Sequence, residues 1–570
     1  MMIRTHDDID AATLTTAEKT LLENCRAGEP TVLGDGKLPA GPSDARTVRA
    51  DILRYLICGG CETCPTQDAG VALMGAYVTD TLDLDFATAK GVTGLLACRF
   101  ETQIEALQAR FEILNLSKSH LPGLNAQGAR VTGDVFLREV TATEQVTLAG
   151  AEIGGQLACD GARFKTAKGK ALNAEGARVT GDVFLHGVTA TGKVSLSGAG
   201  IGGQLACEGA RFENAEGTAL NAQGARVTGA VFLSGVTATG EVSLSGAEIG
   251  GQLACNGARF EAAEGDALNA QKMEAVAVIW REVEAVSGAV GLNGARVGDL
   301  ADDTASWEKI GHLHLNGFRY ERIHGPMDTR MRLKWLAKDA VAAEEFRPQP
   351  YEQLAHVMQS MGHTGDARRV RLEKEILLAR DWKRRALEEQ RDLRERRDAQ
   401  VTPSDHHEIQ NRLARLGLEL RIRPLWHGAL RTMVGYGHAP QRVLIWLIGT
   451  IAVMGSFYLW VWNFGGMVPN SDIILTSPHW AQAMATNPDM PALAWEASEV
   501  GQHYQTFAAA TYAADVFIPL VDLGQEAAWT ATTATAWGSV AWVLSWFLKL
   551  FGWIVTAVGA AAITGIIRRE

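Results

Sequence analysis

Eight cysteines, a few histidines and one glycine-rich string are the residues of this 570-residue chain whose spacing first suggests chemistry. Cys58, Cys61 and Cys64 lie in CGGCETCP, a C-x2-C-x2-C run at the ligand spacing of iron–sulfur and zinc loops. A fourth ligand is missing locally. Cys25 is the only nearby thiol outside the repeat described below, and Pro65 follows the third cysteine rather than a fourth. A glycine-rich loop with incidental thiols is the preferred reading, and metal binding by Cys58, Cys61 and Cys64 is the alternative. Gly198, Gly200 and Gly203 satisfy G-x-G-x-x-G, which seats a dinucleotide when it joins a strand to a helix. Sister copies carry Glu152 and Glu248 in place of Gly200, and no helical pattern follows, so the match reads as drift within a repeat. His312 and His314 share one strand face, which is two ligands and no site; His406 and His407 have less support still.

Most of these residues belong to a repeat with a period of 48. LNAQGARVTGDVFL begins at Leu124, LNAEGARVTGDVFL at Leu172 and LNAQGARVTGAVFL at Leu220. Gly-Ala or Gly-Val steps fall at 176, 187, 198, 209 and 224, so the sub-period runs 11, 11, 11 and 15. Units of this length with β-branched cores and glycine corners fit neither helix pairs nor propeller blades. Two units make a rung of about 22 residues, and each period is two rungs of a right-handed parallel β-solenoid. Alternation places Ala129, Val131, Gly133, Val135 and Leu137 inside, with Ala151, Ile153, Gly155, Leu157 and Cys159 matching them. Cys159, Cys207 and Cys255 then stack ~10 Å apart, beyond the ~7 Å that a disulfide allows. With Cys98 they are expected to be small buried hydrophobes. Phe136, Phe184 and Phe232 point outward at equal spacing, a contact surface for a protein partner unless a terminal helix covers them.

Helical patterns flank the repeat. Thr15 opens a capping box before a short helix closed near Gly28, and 44–56 is a second amphipathic stretch. Pro350 opens a helix–turn–helix pair. The charged run 366–400 mixes signs at helical spacing, so it reads as a solvated helix and not as a nucleic-acid surface. The net charge of −11 is composite: −12 over 1–325, +6 over 326–442 and −5 over 443–570. The expected domains are a helical cap (1–66), the solenoid (67–325), a basic helical neck (326–425) and a membrane domain (426–570).

Val443 to Trp462 is twenty residues without a charge, long enough to cross ~30 Å of hydrocarbon. A second apolar block lies near 540–567, and Lys549 either divides it or reaches for an interface. Arginines flank both blocks, while 463–548 holds no Lys or Arg and seven carboxylates. The positive-inside rule places both flanks, and hence the solenoid and the C-terminus, in the cytoplasm. Between the blocks lies YAADVFIPLVDLG, 512–524, too short to cross. An interfacial helix is the preferred reading there; a re-entrant pore segment, with Asp522 at its mouth favouring cations, is the alternative.

VRADILRYLICGG (48–60), the GAxVxGxVxL and GAxIGGQLxC repeats, LNGFRYERI (315–323), FRPQPYEQLAHVMQSMGHTGDARRV (346–370) and DVFIPLVDLGQEAAW (515–529) carry a resemblance. Together they resemble a bacterial family of membrane-anchored repeat proteins commonly catalogued as "membrane-associated oxidoreductase". The plan is also similar to pentapeptide-repeat proteins that end in a pore-like two-span module. The resemblance implies a multi-pass protein of the bacterial inner membrane and, by its label, redox activity. Cys58, Cys61 and Cys64 depart from the family's glycine-rich loop and are not carried over from it.

The leading expectation is a non-enzymatic scaffold or sensor that presents the solenoid to a partner at the inner membrane. An oligomeric ion channel with its pore formed by 443–567 comes second, and the oxidoreductase of the family label third. No cofactor and no nucleic acid is expected; membrane lipid, an unidentified protein and further copies of the chain are the expected partners.

Overall fold

Many sides of a rung in the repeat are only two residues long. Arg130–Val131, Val135–Phe136, Thr141–Ala142 and Val146–Thr147 are successive sides. They are seen in a computed structural model that describes residues 8–9, 13–61, 64–342, 346–398, 403–437 and 441–563. The chain turns after each side, and every second corner takes the left-handed conformation, as at Gly128 (φ 64°) and Gly150 (φ 65°). Gln108 and Glu139 hold equivalent corners at φ 53° and 55°, so glycine is favoured there without being obligatory.

Sides stack in parallel. Arg130–Val131 pairs with Glu152–Ile153, which pairs in turn with Arg178–Val179. The step alternates between 22 and 26 residues, and the two together make the 48-residue period. The result is a parallel β-solenoid of about 12 turns, as expected. The four extra residues of the long unit have no register partner: strands Arg163–Asn173, Arg211–Asn221 and Arg259–Asn269 bulge between Lys165 and Lys170, Glu213 and Thr218, and Glu261 and Asp266.

Inside, large and small side chains alternate by rung. Phe164, Phe212 and Phe260 are fully buried and separated in register by Ala190 and Ala238, which fills the interior without overlap. Cys98, Cys159, Cys207 and Cys255 are buried too, and burial pushes the Cys98 and Cys255 thiols up to about 12. One detail of the alternation fails. Gly133 and Gly155 are half-exposed corner residues and not interior ones, because the nine-residue strand of the sequence reading is two short sides with a bend between.

Helix α1 (Thr16–Ala27) has the predicted cap: Thr15 Oγ1 accepts from the Glu18 amide at 3.0 Å, and Glu18 Oε2 accepts from the Thr15 amide at 2.9 Å. Gly28 closes it at φ 75°. Helix α2 (Ala50–Ile57) is shorter than the amphipathic stretch, since Thr47–Arg49 stacks on Tyr77–Thr79. Thr31–Val32 pairs with Leu73–Met74, so stacking begins well before residue 67. Helix α3 (Thr304–Glu308) interrupts the last rungs, and beyond them come α4 (Thr329–Ala342), α5 (Gln349–Ser360) and α6 (Thr364–Asp398). Phe260, Trp280, Trp307 and Trp335 make ring contacts in series at the last rungs. Arg332 there is fully buried and forked onto Asp302 at 2.5 and 2.8 Å.

The chain divides into two compact units, Met1–Val370 and Arg371–Glu570. The second holds most of α6, then α7 (Pro403–Met433) and α8 (Arg442–Asn463). Short helices follow: α9 (Asp472–Leu475), α10 (Pro478–Thr486), α11 (Pro491–Glu496), α12 (Ala509–Phe517) and α13 (Gln525–Ala528). The long α14 (Ala536–Ile563) runs unbroken through Lys549, so the lysine sits within the helix.

Candidate functional site

Helices α8 and α14 are both long and apolar enough to cross a membrane. A buried core helix would pass the same test of length and composition, but only 11% of the apolar window of α8 and 22% of that of α14 are buried. Their uncovered residues include Ile445, Ile448, Val453, Phe547, Leu550 and Trp553, an apolar surface suited to lipid. The pair is held at both ends by glycines. A Cβ on Gly466 would stand 3.2 Å from the Gly538 amide, and one on Gly559 would stand 3.3 Å from Val443.

Between them packs α12. A Cβ on Gly455 would come within 3.0 Å of Ala510, and one on Gly552 would overlap the Phe517 carbonyl oxygen. The Tyr458 and Tyr512 rings meet edge to face at 4.8 Å. Depth follows from helical rise: Gly538 to Gly559 spans about 32 Å, and Gly552 lies about 21 Å along it. The C-terminal end of α12 is thus some two-thirds of the way down the helix pair. The chain then returns to the end where it started, because Trp529–Ala531 pairs antiparallel with Met467–Pro469. Segment 509–528 therefore runs down along the helix pair and back, re-entrant relative to that pair. Packed aromatics gather where the segment returns: Trp529 touches Trp462, Trp495, Tyr504 and Phe507, and its Nε1 donates to the Gln505 carbonyl at 2.7 Å.

Asp515 organises the turn. Its Oδ1 accepts from the Leu523 amide at 2.8 Å and its Oδ2 from the Glu526 amide at 2.7 Å. Glu526 pairs with Lys549, which lies about 16 Å along α14 from Gly538, midway down the pair. Asp522, singled out from sequence, is exposed, and its Oδ1 accepts only a local bond from the Gly524 amide at 2.9 Å. Leu520 beside it is 76% exposed. Among the described residues, no hydrogen bond reaches the carbonyl oxygens of Pro519, Leu520, Val521 or Asp522. Sequence reasoning missed Asp515 and Glu526. The signal for Asp515 was available, since it is the only charge in the apolar run AATYAADVF.

The other sequence-derived residues lie in the first unit. Cys58 ends α2 and is exposed. Cys61 stands opposite Cys64 in an antiparallel pair of two-residue strands, and the side chains of both lie outside the described residues. Among the described residues, no three His, Cys, Asp or Glu groups are placed to hold a metal ion. Phe136, Phe184 and Phe232 form one file, half-buried, with Ala158 and Ala206 between them in register. Among the described residues, no terminal helix covers them fully. A cleft of about 1150 Å³ opens beside α5, where Glu248, Glu274, Arg296 and Arg319 line up on successive rungs.

Comparison with protein-family models, curated proteins and solved structures returns no match.

Proposed function

We propose that this chain is the subunit of an oligomeric cation channel, with segment 509–528 as its pore lining and the solenoid as a cytoplasmic arm that regulates or recruits. One observation carries the reading: the non-helical stretch after α12 lies deep along the helix pair, with Asp522 and Leu520 exposed and four carbonyl oxygens without a hydrogen-bond partner among the described residues. Hydrocarbon does not tolerate such a surface, because each unsatisfied polar group there costs several kcal/mol. Only protein or water can face it. Two helices cannot enclose a water path alone, so copies of the chain must gather around it, with carbonyls and carboxylates turned to the ions. The orientation rests on the arginines that flank both apolar blocks. Purified protein in liposomes is expected to pass K⁺ or Na⁺ above background, and Asp522→Asn to lower the preference for cations over chloride. Correctly reconstituted protein that passes no ions, or remains strictly monomeric in detergent, would overturn the reading.

A membrane-anchored scaffold is favoured by a separate observation, the half-exposed Phe136–Phe184–Phe232 file with alanine notches between its rings. Replacing the three by serine is expected to reduce cross-linking to a protein partner in cells while leaving ion flux unchanged. An unchanged cross-linking pattern counts against it.

A further inference from the structure

Where α6 and α7 pack together in the second unit they leave a cavity of about 270 Å³, lined by Arg380, Lys383, His427, Arg431, Trp382 and Tyr436. Its charged lining is cationic, and the one carboxylate felt by His427 and Tyr436 is Glu375. Among the described residues no carboxylate pairs with Arg380, Lys383 or Arg431; nearby Asp381 is engaged by Arg384 and Arg385 at 2.6 and 2.7 Å, and Glu375 by Lys374 at 3.1 Å. Arg423 adds a further cation, held 4.3 Å above the Trp382 ring. Nδ1 of His427 is shut off from solvent and has no hydrogen-bond partner among the described residues. Burial first, and the charge of Arg423 second, hold this imidazole below its ordinary value. Three cations without counter-ions and an unmet polar atom around one cavity are what an anion would satisfy.

The position says which anion. The Arg431 carbonyl accepts from Arg442 Nη1 at 3.1 Å, and the Thr432 carbonyl accepts from Trp446 Nε1 at 3.3 Å. The last turns of α7 are therefore tied to the first turn of α8, where a membrane-crossing α8 would enter the head-group layer. We infer that this cavity binds a phosphate group at head-group depth, that of an anionic phospholipid, with Arg380, Lys383 and Arg431 as its counter-ions and His427 as a hydrogen-bond partner. The inference does not depend on ion conduction.

Calorimetry on the full chain in neutral detergent tests it, with dihexanoyl phosphatidylglycerol, dihexanoyl phosphatidylcholine and inorganic phosphate as probes. The expected result is binding of the phosphatidylglycerol at least ten-fold tighter than the phosphatidylcholine. Arg380→Gln/Lys383→Gln/Arg431→Gln should lose that preference, while Arg391→Gln/Arg394→Gln on an exposed stretch of α6 retains it. Inorganic phosphate binding as tightly as the lipid would uphold the anion site and overturn the lipid as its source. Equal affinity for both lipids, or an unaltered preference in the triple variant eluting at its native volume, would overturn the site.

Discussion

At the scale of single residues, burial decides which of the chemically capable groups act. The four interior cysteines are raised by loss of water and so remain protonated thiols at neutral pH. Maleimide at pH 7.5 is expected to label Cys58 and to spare Cys98, Cys159, Cys207 and Cys255 in the native chain, as read by peptide mass mapping. The linkage sign follows. Unfolded thiols ionise near 9 and the folded Cys98 and Cys255 only near 12, so their contribution to stability is complete below pH 9 and is lost as pH rises toward 12. The melting temperature of the solenoid should therefore fall above pH 9, and less steeply in a Cys98→Ala/Cys255→Ala variant. Arg332 is the converse case, a guanidinium held in the interior by hydrogen bonds to Asp302 and the Pro326 carbonyl. Removing one partner of such a pair costs about 3–5 kcal/mol. Arg332→Ala is expected to show a loss of that order in denaturant unfolding.

At the scale of elements, glycine marks close approach as well as corners. Gly552 of α14 has no room for a Cβ because α12 lies against it, whereas Gly449 of α8 faces open space. Gly552→Leu should expel α12 and abolish flux; Gly449→Leu should leave flux within about two-fold of wild type, since nothing must move there. Equal flux from the two variants would contradict the packing of the re-entrant segment. The solenoid was far more legible in sequence than this turn. Its register is repeated every 48 residues, so each inward Val, Ile or Leu is read several times over. The re-entrant segment occurs once and is apolar on both sides, and periodicity alone cannot separate lying flat from dipping inward.

At the scale of the whole molecule, the repeat predicts modularity. Deleting residues 172–219 removes one full period and rejoins Ala171 to Leu220, whose surroundings match those of Leu172. Each rung contacts its neighbours alone, so the shortened chain is expected to express at near wild-type levels with the same oligomeric state by size exclusion. Deleting 172–195, half a period, leaves about 24 residues between Glu152 and Gly200, which matches neither the 22- nor the 26-residue step and should yield aggregate. Charge belongs to this scale too: three cations of the basic middle segment line the α6–α7 cavity.

Composition and period alone established a parallel solenoid, two membrane-length helices and the cap at Thr15, because each depends on local pattern: glycine corners, an uncharged run of twenty residues, a hydroxyl three residues before a carboxylate. Tertiary structure decided what depends on distant residues meeting. It placed Asp522 on the uncovered turn and brought Asp515 to the amide of Glu526 and Glu526 to Lys549. It also gathered Arg380, Lys383 and Arg431 from two helices around one cavity. These groups come together through the packing of whole helices, and spacing along a chain carries no record of which faces will touch.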